Sequence, residues 1–292
     1  MSLNLALNSN CLLGESPVWS PVDQSIYFID TKKMSINRFC ISNSLFETIP
    51  TPSEIGCIVL KRGGGIVAAM QSGLAFVDFT VKEYAFFCTI DSDILTNRPN
   101  DGKCDGAGRL WVASMDNKEV SSSGRLWKVS PTTAPEIVDS NFVIGNGIDW
   151  SPDSKKMYFT DSVNRAIYIY DFDLGSGTIG NKEMFVKIPE DDGFPDGLVV
   201  DGQGFVWSAH WDGWRVTRYA LDGSIDKVVN LPVPRPTSLA FGGANLSSLF
   251  ITSASYGLSS AELMNAPLSG GLFVYDSTVS GRLSNQYIAE IS

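Results

Sequence analysis

Short runs of β-branched and aromatic residues recur along the chain, separated by Gly, Pro, Asp, Asn and Ser, with almost no helical periodicity. The pattern is clearest in Ser25–Asp30 (SIYFID), residues 109–114 (RLWVAS), Lys156–Asp161 (KMYFTD), residues 205–209 (FVWSA) and residues 248–252 (SLFIT). Each run follows a turn: Ser20-Pro21, Asp105-Gly106, Ser151-Pro152, Asp201-Gly202 or Gly242-Gly243. A weaker sixth copy, residues 65–70 (GIVAAM), follows Lys61-Arg62. Counting five residues back from each turn gives Glu15, Gly56, Asn100, Asn146, Asp196 and Thr237, separated by 41, 44, 46, 50 and 41 residues. A repeat of that length in an all-β pattern predicts propeller blades. A sandwich would not keep one offset through every copy. The expectation is a single domain over residues 1–292, a six-bladed β-propeller with about four antiparallel strands per blade.

This register has a chemical consequence. The innermost strand of a blade lines the central channel, and the six anchors fall where those strands begin, so they should ring one mouth. A hairpin returns the next strand to the same face. The segments after it, residues 115–119 in the third blade and His210 and Trp211 in the fifth, should reach that mouth too. Four anchors, Glu15, Asn100, Asn146 and Asp196, supply two carboxylates and two amides from different blades. Such an oxygen-rich set suits one divalent cation: calcium, magnesium, manganese, iron(II) or zinc. A single Asn or Asp at a strand start is ordinary turn chemistry. Four polar anchors among six registered positions favour a metal.

Charge and composition narrow the partners. Acidic residues outnumber basic ones 32 to 22, for a net charge of −10, which repels nucleic acid and anionic membranes. The longest apolar runs are five residues, against about 20 for a bilayer-spanning helix. Residues 1–10 lack the charged and apolar blocks of a signal peptide, so a cytoplasmic protein is expected. Five cysteines (11, 40, 57, 88, 104) without a CxxC pair read as reduced packing thiols. The lone histidine, His210, gives little support for a Ser-His-Asp triad or a His-rich zinc site.

Local motifs add little. Residues 175–180 match GxGxxG, but a strand pattern follows, so no dinucleotide site is expected. Residues 101–112 imitate an EF-hand loop, yet Lys103 and Val112 occupy ligand positions. Arg98, two residues before Asn100, is read as a donor pair for a hydroxylated or carboxylate-bearing substrate, with a surface ion pair as the alternative. Glu119 and His210 are candidate substrate contacts, the first against a solvated loop acid, the second against a packed imidazole. Trp111, Trp127 and Trp207 fall on strand pattern as core, while Trp211 and Trp214 are candidates for a sugar-binding wall.

At these residues the chain resembles the regucalcin/gluconolactonase family of sugar-acid lactonases. The resemblance runs from residues 14–19 (GESPVW) to the final blade and includes 97–101 (NRPND), 145–150 (GNGIDW) and 194–197 (FPDG). Within the family it is most similar to the bacterial pentonolactonases, such as xylonolactonase and arabinolactonase, which share the Arg-Pro-Asn-Asp form and an acid like Glu119. The resemblance implies a six-bladed propeller with one divalent metal in its channel, held by Glu15, Asn146 and Asp196. It implies substrate contacts at Arg98 and Asn100, and less directly at Glu119. The expected reaction is metal-dependent hydrolysis of a sugar aldonolactone to the open-chain acid, with Asp196 as first choice for general base and Glu119 as second. The small-molecule lactone is the expected partner, with no nucleic acid and no membrane; oligomeric state is left open, a monomer being compatible. The alternatives are a non-catalytic scaffold and a metal-dependent hydrolase of aryl esters or phosphotriesters.

Overall fold

Every short apolar run forms a strand, and the strands assemble into six four-stranded antiparallel sheets. The computed structural model describes residues 2–289. Innermost strands, in blade order, are Gly14–Ser20, Ile55–Leu60, Asn97–Cys104, Gly145–Trp150, Phe194–Val200 and Pro236–Gly242. Each contacts the innermost strand of the next blade, and the last contacts the first, closing a ring around a central channel. The sixth blade takes its outermost strand, Leu3–Leu7, from the start of the chain. Ring closure thus ties the chain start to its last blade. The protein is a six-bladed β-propeller, as the repeat predicts.

The apolar core is divided. Six buried clusters lie between successive blades, each built from the facing strands of two neighbours. An inner strand is therefore covered on both faces. This explains why the sequence reads as near-continuous apolar runs instead of a strict in-out alternation.

The turns that announce the second strands are hydrogen-bonded devices. In the third blade Asp105 Oδ1 accepts from the N–H groups of Ala107 and Arg109, while Oδ2 accepts from Trp111 Nε1 at 2.9 Å. The fifth blade repeats it: Asp201 Oδ1 accepts from the N–H groups of Gln203 and Phe205, and Oδ2 from Trp207 Nε1 at 2.9 Å. Asp105 is thus a structural acceptor, in keeping with the rejected EF-hand.

Residues 277–289 cross the far end of the channel. The Ser280 carbonyl accepts from Gly202 N–H, Gly281 N–H donates to the Leu246 carbonyl, and Tyr287 N–H donates to the Leu60 carbonyl. These contacts reach blades two, five and six.

Candidate active site at the channel mouth

All six anchors lie at irregularities in the strand ladder. Register shifts between the first and second strands fall at Glu15/Val18, Ile55/Cys57, Pro99/Asp101, Gly145/Ile148, Pro195/Leu198 and Pro236/Leu239. A bulge frees a residue from pairing and re-aims its side chain. Repeated around the ring, it turns one register into a circle of side chains at the mouth.

The circle has two kinds of member. Glu15, Asn100, Asn146 and Asp196 line a cavity of about 410 Å³, together with Arg98, Glu119 and Met115. Gly56 and Thr237 do not. A Cβ at Gly56 would stand 2.2 Å from the Pro99 carbonyl oxygen, so the second blade gives up a side chain to let the Asn100 bulge approach. Thr237 Oγ1 donates to the Gly14 carbonyl at 2.5 Å and lies 2.8 Å from Thr252 Oγ1, a satisfied structural role.

Glu15 and Asp196 are both buried, and both carboxyls are pushed well above the ordinary carboxylate range. Burial is the main cause for each. The charges of Asp196 and Asp101 add to it at Glu15, and that of Asp101 adds at Asp196, against partial relief from the Ser16 N–H at Glu15, from the Asn146 side chain and Gly197 N–H at Asp196, and, least, from Arg98 at both. Asp101 is itself raised to about 6, chiefly by burial. Asn146 is buried beside Asp196, and its Nδ2 donates to Ser162 Oγ at 3.2 Å. Ser162 Oγ in turn donates to the Pro195 carbonyl at 2.7 Å, linking blade four to blade five. With its nitrogen engaged, the Asn146 amide has its carbonyl oxygen left for another partner.

This donor set fits a divalent cation. Two desolvated carboxylates crowded by a third negative charge want a positive counter-ion, and a neutral amide oxygen adds a ligand without more charge. Among the described residues, no three His, Cys, Asp or Glu side chains form a ligand cluster of their own. Any metal here would depend on the amide to complete its protein ligands.

Arg98 forms the facing wall. It is buried, and Nε donates to Asn117 Oδ1 at 3.0 Å while Nη1 donates to the Pro99 carbonyl at 3.0 Å and to Asn100 Oδ1 at 2.9 Å. Asn100 Nδ2 donates to the Gly145 carbonyl at 3.0 Å, which fixes its amide across the blade boundary. Glu119 stands exposed at the rim with φ of 59°, in a turn shaped by Asp116. The Asp116 carboxylate accepts from the N–H groups of Lys118, Val120 and Ser121.

His210, a candidate wall donor, is absent from the cavity and is the packed imidazole of the alternative reading. It is fully buried, with Nδ1 2.8 Å from the Asp192 carbonyl oxygen and Nε2 3.3 Å from Tyr219 Oη. Burial pulls its pKa down to about 4. Strand alternation explains the difference, since the next residue, Trp211, is the one that lines the cavity. Trp214 is half exposed and does not line it.

Lys32, Ser162, Arg235 and Tyr256 also line the cavity and were not singled out from sequence. Lys32, Ser162 and Tyr256 follow the second strands of blades one, four and six, as residues 117–119 follow that of blade three. The hairpin-return argument, applied to every blade, would have found all three.

Comparison with known proteins bears on this geometry. The family model described as "SMP-30/Gluconolactonase/LRE-like region" matches residues 13–255. Human regucalcin is 30% identical over 279 residues, covering 94% of this chain and 93% of its own length. The 6-deoxy-6-sulfogluconolactonase of Pseudomonas putida is 31% identical over 281 residues, covering 96% of each chain. The crystal structure of regucalcin from Agrobacterium tumefaciens, described as a calcium-binding protein, superposes with a TM-score of 0.94 at 25% identity, covering 98% of this chain and 97% of that one.

Proposed function

The chain belongs to the SMP-30/gluconolactonase/LRE-like family, and on that premise we propose that it hydrolyses a five- or six-carbon aldonolactone to the open-chain sugar acid, with one divalent metal at the channel mouth and the whole chain acting as a single domain. The observation that carries this reading is the pair of buried, charge-crowded carboxylates, Glu15 and Asp196, opening into a cavity walled by Arg98 and Asn100. A greasy pocket would suit an aryl ester; this one offers donors for several hydroxyls. The Pseudomonas relative, named for a six-carbon lactone, supports the same class.

Glu15, Asn146 and Asp196 would hold the ion, which when bound supplies Lewis acidity toward the lactone carbonyl. Arg98 and Asn100 hold the ring substituents and orient the carbonyl toward the carboxylates. A carboxylate takes a proton from water as the water oxygen bonds to the carbonyl carbon. The ring C–O bond then breaks, and that proton passes to the departing oxygen, which becomes a hydroxyl of the product acid. Asp196 is the first choice for the base, as a buried carboxylate that lines the cavity where the lactone carbonyl would sit. Glu119 at the rim is the second. No covalent nucleophile is required.

The five cysteines are free in the described residues, which supports a reducing, cytoplasmic setting. Among the same residues no helix is long and apolar enough to cross a membrane.

The test is proton release from a panel of aldonolactones by metal-stripped protein titrated with individual divalent ions. Turnover should appear only on addition of an ion. Phenyl acetate or a phosphotriester outperforming every aldonolactone would overturn the substrate class, and an inert protein across the panel would favour a non-catalytic scaffold.

A further inference from the structure

Behind the cavity wall lies one more carboxylate, Glu54. Glu54 leads into the second blade and does not line the cavity, yet it touches two residues that do. Its Oε1 accepts from Lys32 Nζ at 2.9 Å. Its Oε2 is buried without a hydrogen bond and lies 3.5 Å from Arg98 Nε. A buried carboxylate oxygen with no donor is costly unless an opposite charge compensates it. The compensating charge is the Arg98 guanidinium, whose Nε hydrogen is already given to Asn117.

This geometry separates charge from hydrogen bonding. Glu54 attracts the guanidinium without using up its N–H donors: Nε and Nη1 go to Asn117, Pro99 and Asn100, and Nη2 keeps its hydrogens without an acceptor among the described residues. A bidentate carboxylate would have consumed the donors that a substrate needs. Lys32 keeps Glu54 in place from the other side and lies 5.4 Å from the centre of the Tyr256 ring at the mouth. One carboxylate thus ties two cavity-wall cations from blades one and three.

We propose that Glu54 is a positioning residue: it holds Arg98 and Lys32 at the cavity wall by charge while leaving the Nη2 hydrogens of Arg98 free for substrate. The inference rests on the reading of Arg98 as a substrate contact, and the experiment separates the two. Glu54→Gln keeps the shape and removes the charge. It should raise KM about fivefold or more with kcat within about twofold, the pattern of lost uniform binding. Divalent-ion affinity, measured by calorimetry, should stay at the wild-type value.

A double-mutant cycle with Arg98→Ala decides whether the effect runs through the guanidinium. In the Arg98→Ala background, Glu54→Gln should produce no further rise in KM. Glu54→Asp keeps the charge but withdraws it by one methylene, and its KM should rise less, about twofold. That variant carries the same cycle should the Gln form not fold. An unchanged KM in Glu54→Gln, equal KM rises in the Gln and Asp variants, or full additivity with Arg98→Ala would overturn the proposal and leave Arg98 as a substrate contact. An unchanged KM in Arg98→Ala itself would overturn both.

Discussion

The two ends of the channel treat a buried carboxylate in opposite ways. At the far end Asp149 is buried like Glu15 and Asp196, but its oxygens meet Lys103 Nζ at 3.1 Å, Arg282 Nη2 at 3.3 Å, and the N–H groups of Val200 and Trp150. Burial alone would raise its pKa; those partners overcome it and hold the carboxyl below the ordinary range. At the mouth, Glu15 has the Ser16 N–H and Asp196 the Asn146 amide and Gly197 N–H, with one cation, Arg98, adding less, and both carboxyls stay raised. One end is neutralised by the protein itself. The other keeps an imbalance that the proposed cation would offset.

Removal of the counter-ion should have the largest effect. Chelation is expected to abolish lactone hydrolysis and lower the melting temperature, since an ion at a hundred times its Kd stabilises by about 2.7 kcal/mol. Activity and melting point should both return with a divalent ion. Full turnover by a verified metal-free sample would break the comparison.

Next come matched substitutions at the two ends, studied without metal. Asp149→Asn leaves Lys103 and Arg282 without their carboxylate and should cost about 3–5 kcal/mol, the usual result of breaking a buried pair. Asp196→Asn relieves repulsion, so the metal-free protein should melt higher even though turnover is lost. Thermal melts of both variants check this. The same sign in both would show that the ends do not differ.

The acid–base consequence follows in sign. A carboxyl whose folded pKa lies above its unfolded value of about 3.9 takes up protons on folding, so its contribution worsens as pH rises from there toward the folded value. Asp196 is of this kind; Asp149, with a lowered pKa, contributes stability that is lost as pH falls through its folded value. In metal-free protein, the stability advantage of Asp196→Asn over wild type should therefore widen as pH rises above about 4. Denaturant titrations at several pH values measure it. A constant advantage would mean that Asp196 does not titrate as assigned.

The smallest effect belongs to the facing wall. Arg98→Ala is expected to lower kcat/KM about tenfold, near 1.4 kcal/mol, with metal affinity unchanged. Lys should restore little, because an ammonium cannot reproduce the paired donors of a guanidinium. Steady-state kinetics beside calorimetry for the ion will check this, and a shift in melting temperature alone would make Arg98 a structural ion-pair partner.

The sequence by itself determined the architecture and the ring. Strand periodicity is local, and turn dipeptides such as Asp105-Gly106 and Asp201-Gly202 are written in adjacent residues, so the repeat and its six anchors could be counted directly. Counting could not say which anchors face the cavity. Gly56 and Thr237 share the register of Glu15 and Asp196, and only the approach of the Pro99 carbonyl and the bond to the Gly14 carbonyl show them to be packing positions. His210 and Trp211 are adjacent, and which of them lines the cavity was decided by strand register beside the bulge at Pro195/Leu198. Glu54 carried no signal, because its meaning lies in Lys32 and Arg98, 22 and 44 residues away in the chain. Periodicity is a property of neighbours along the chain; charge balance in a buried site is a sum over groups from five blades, and only the closed ring brings them close enough to count.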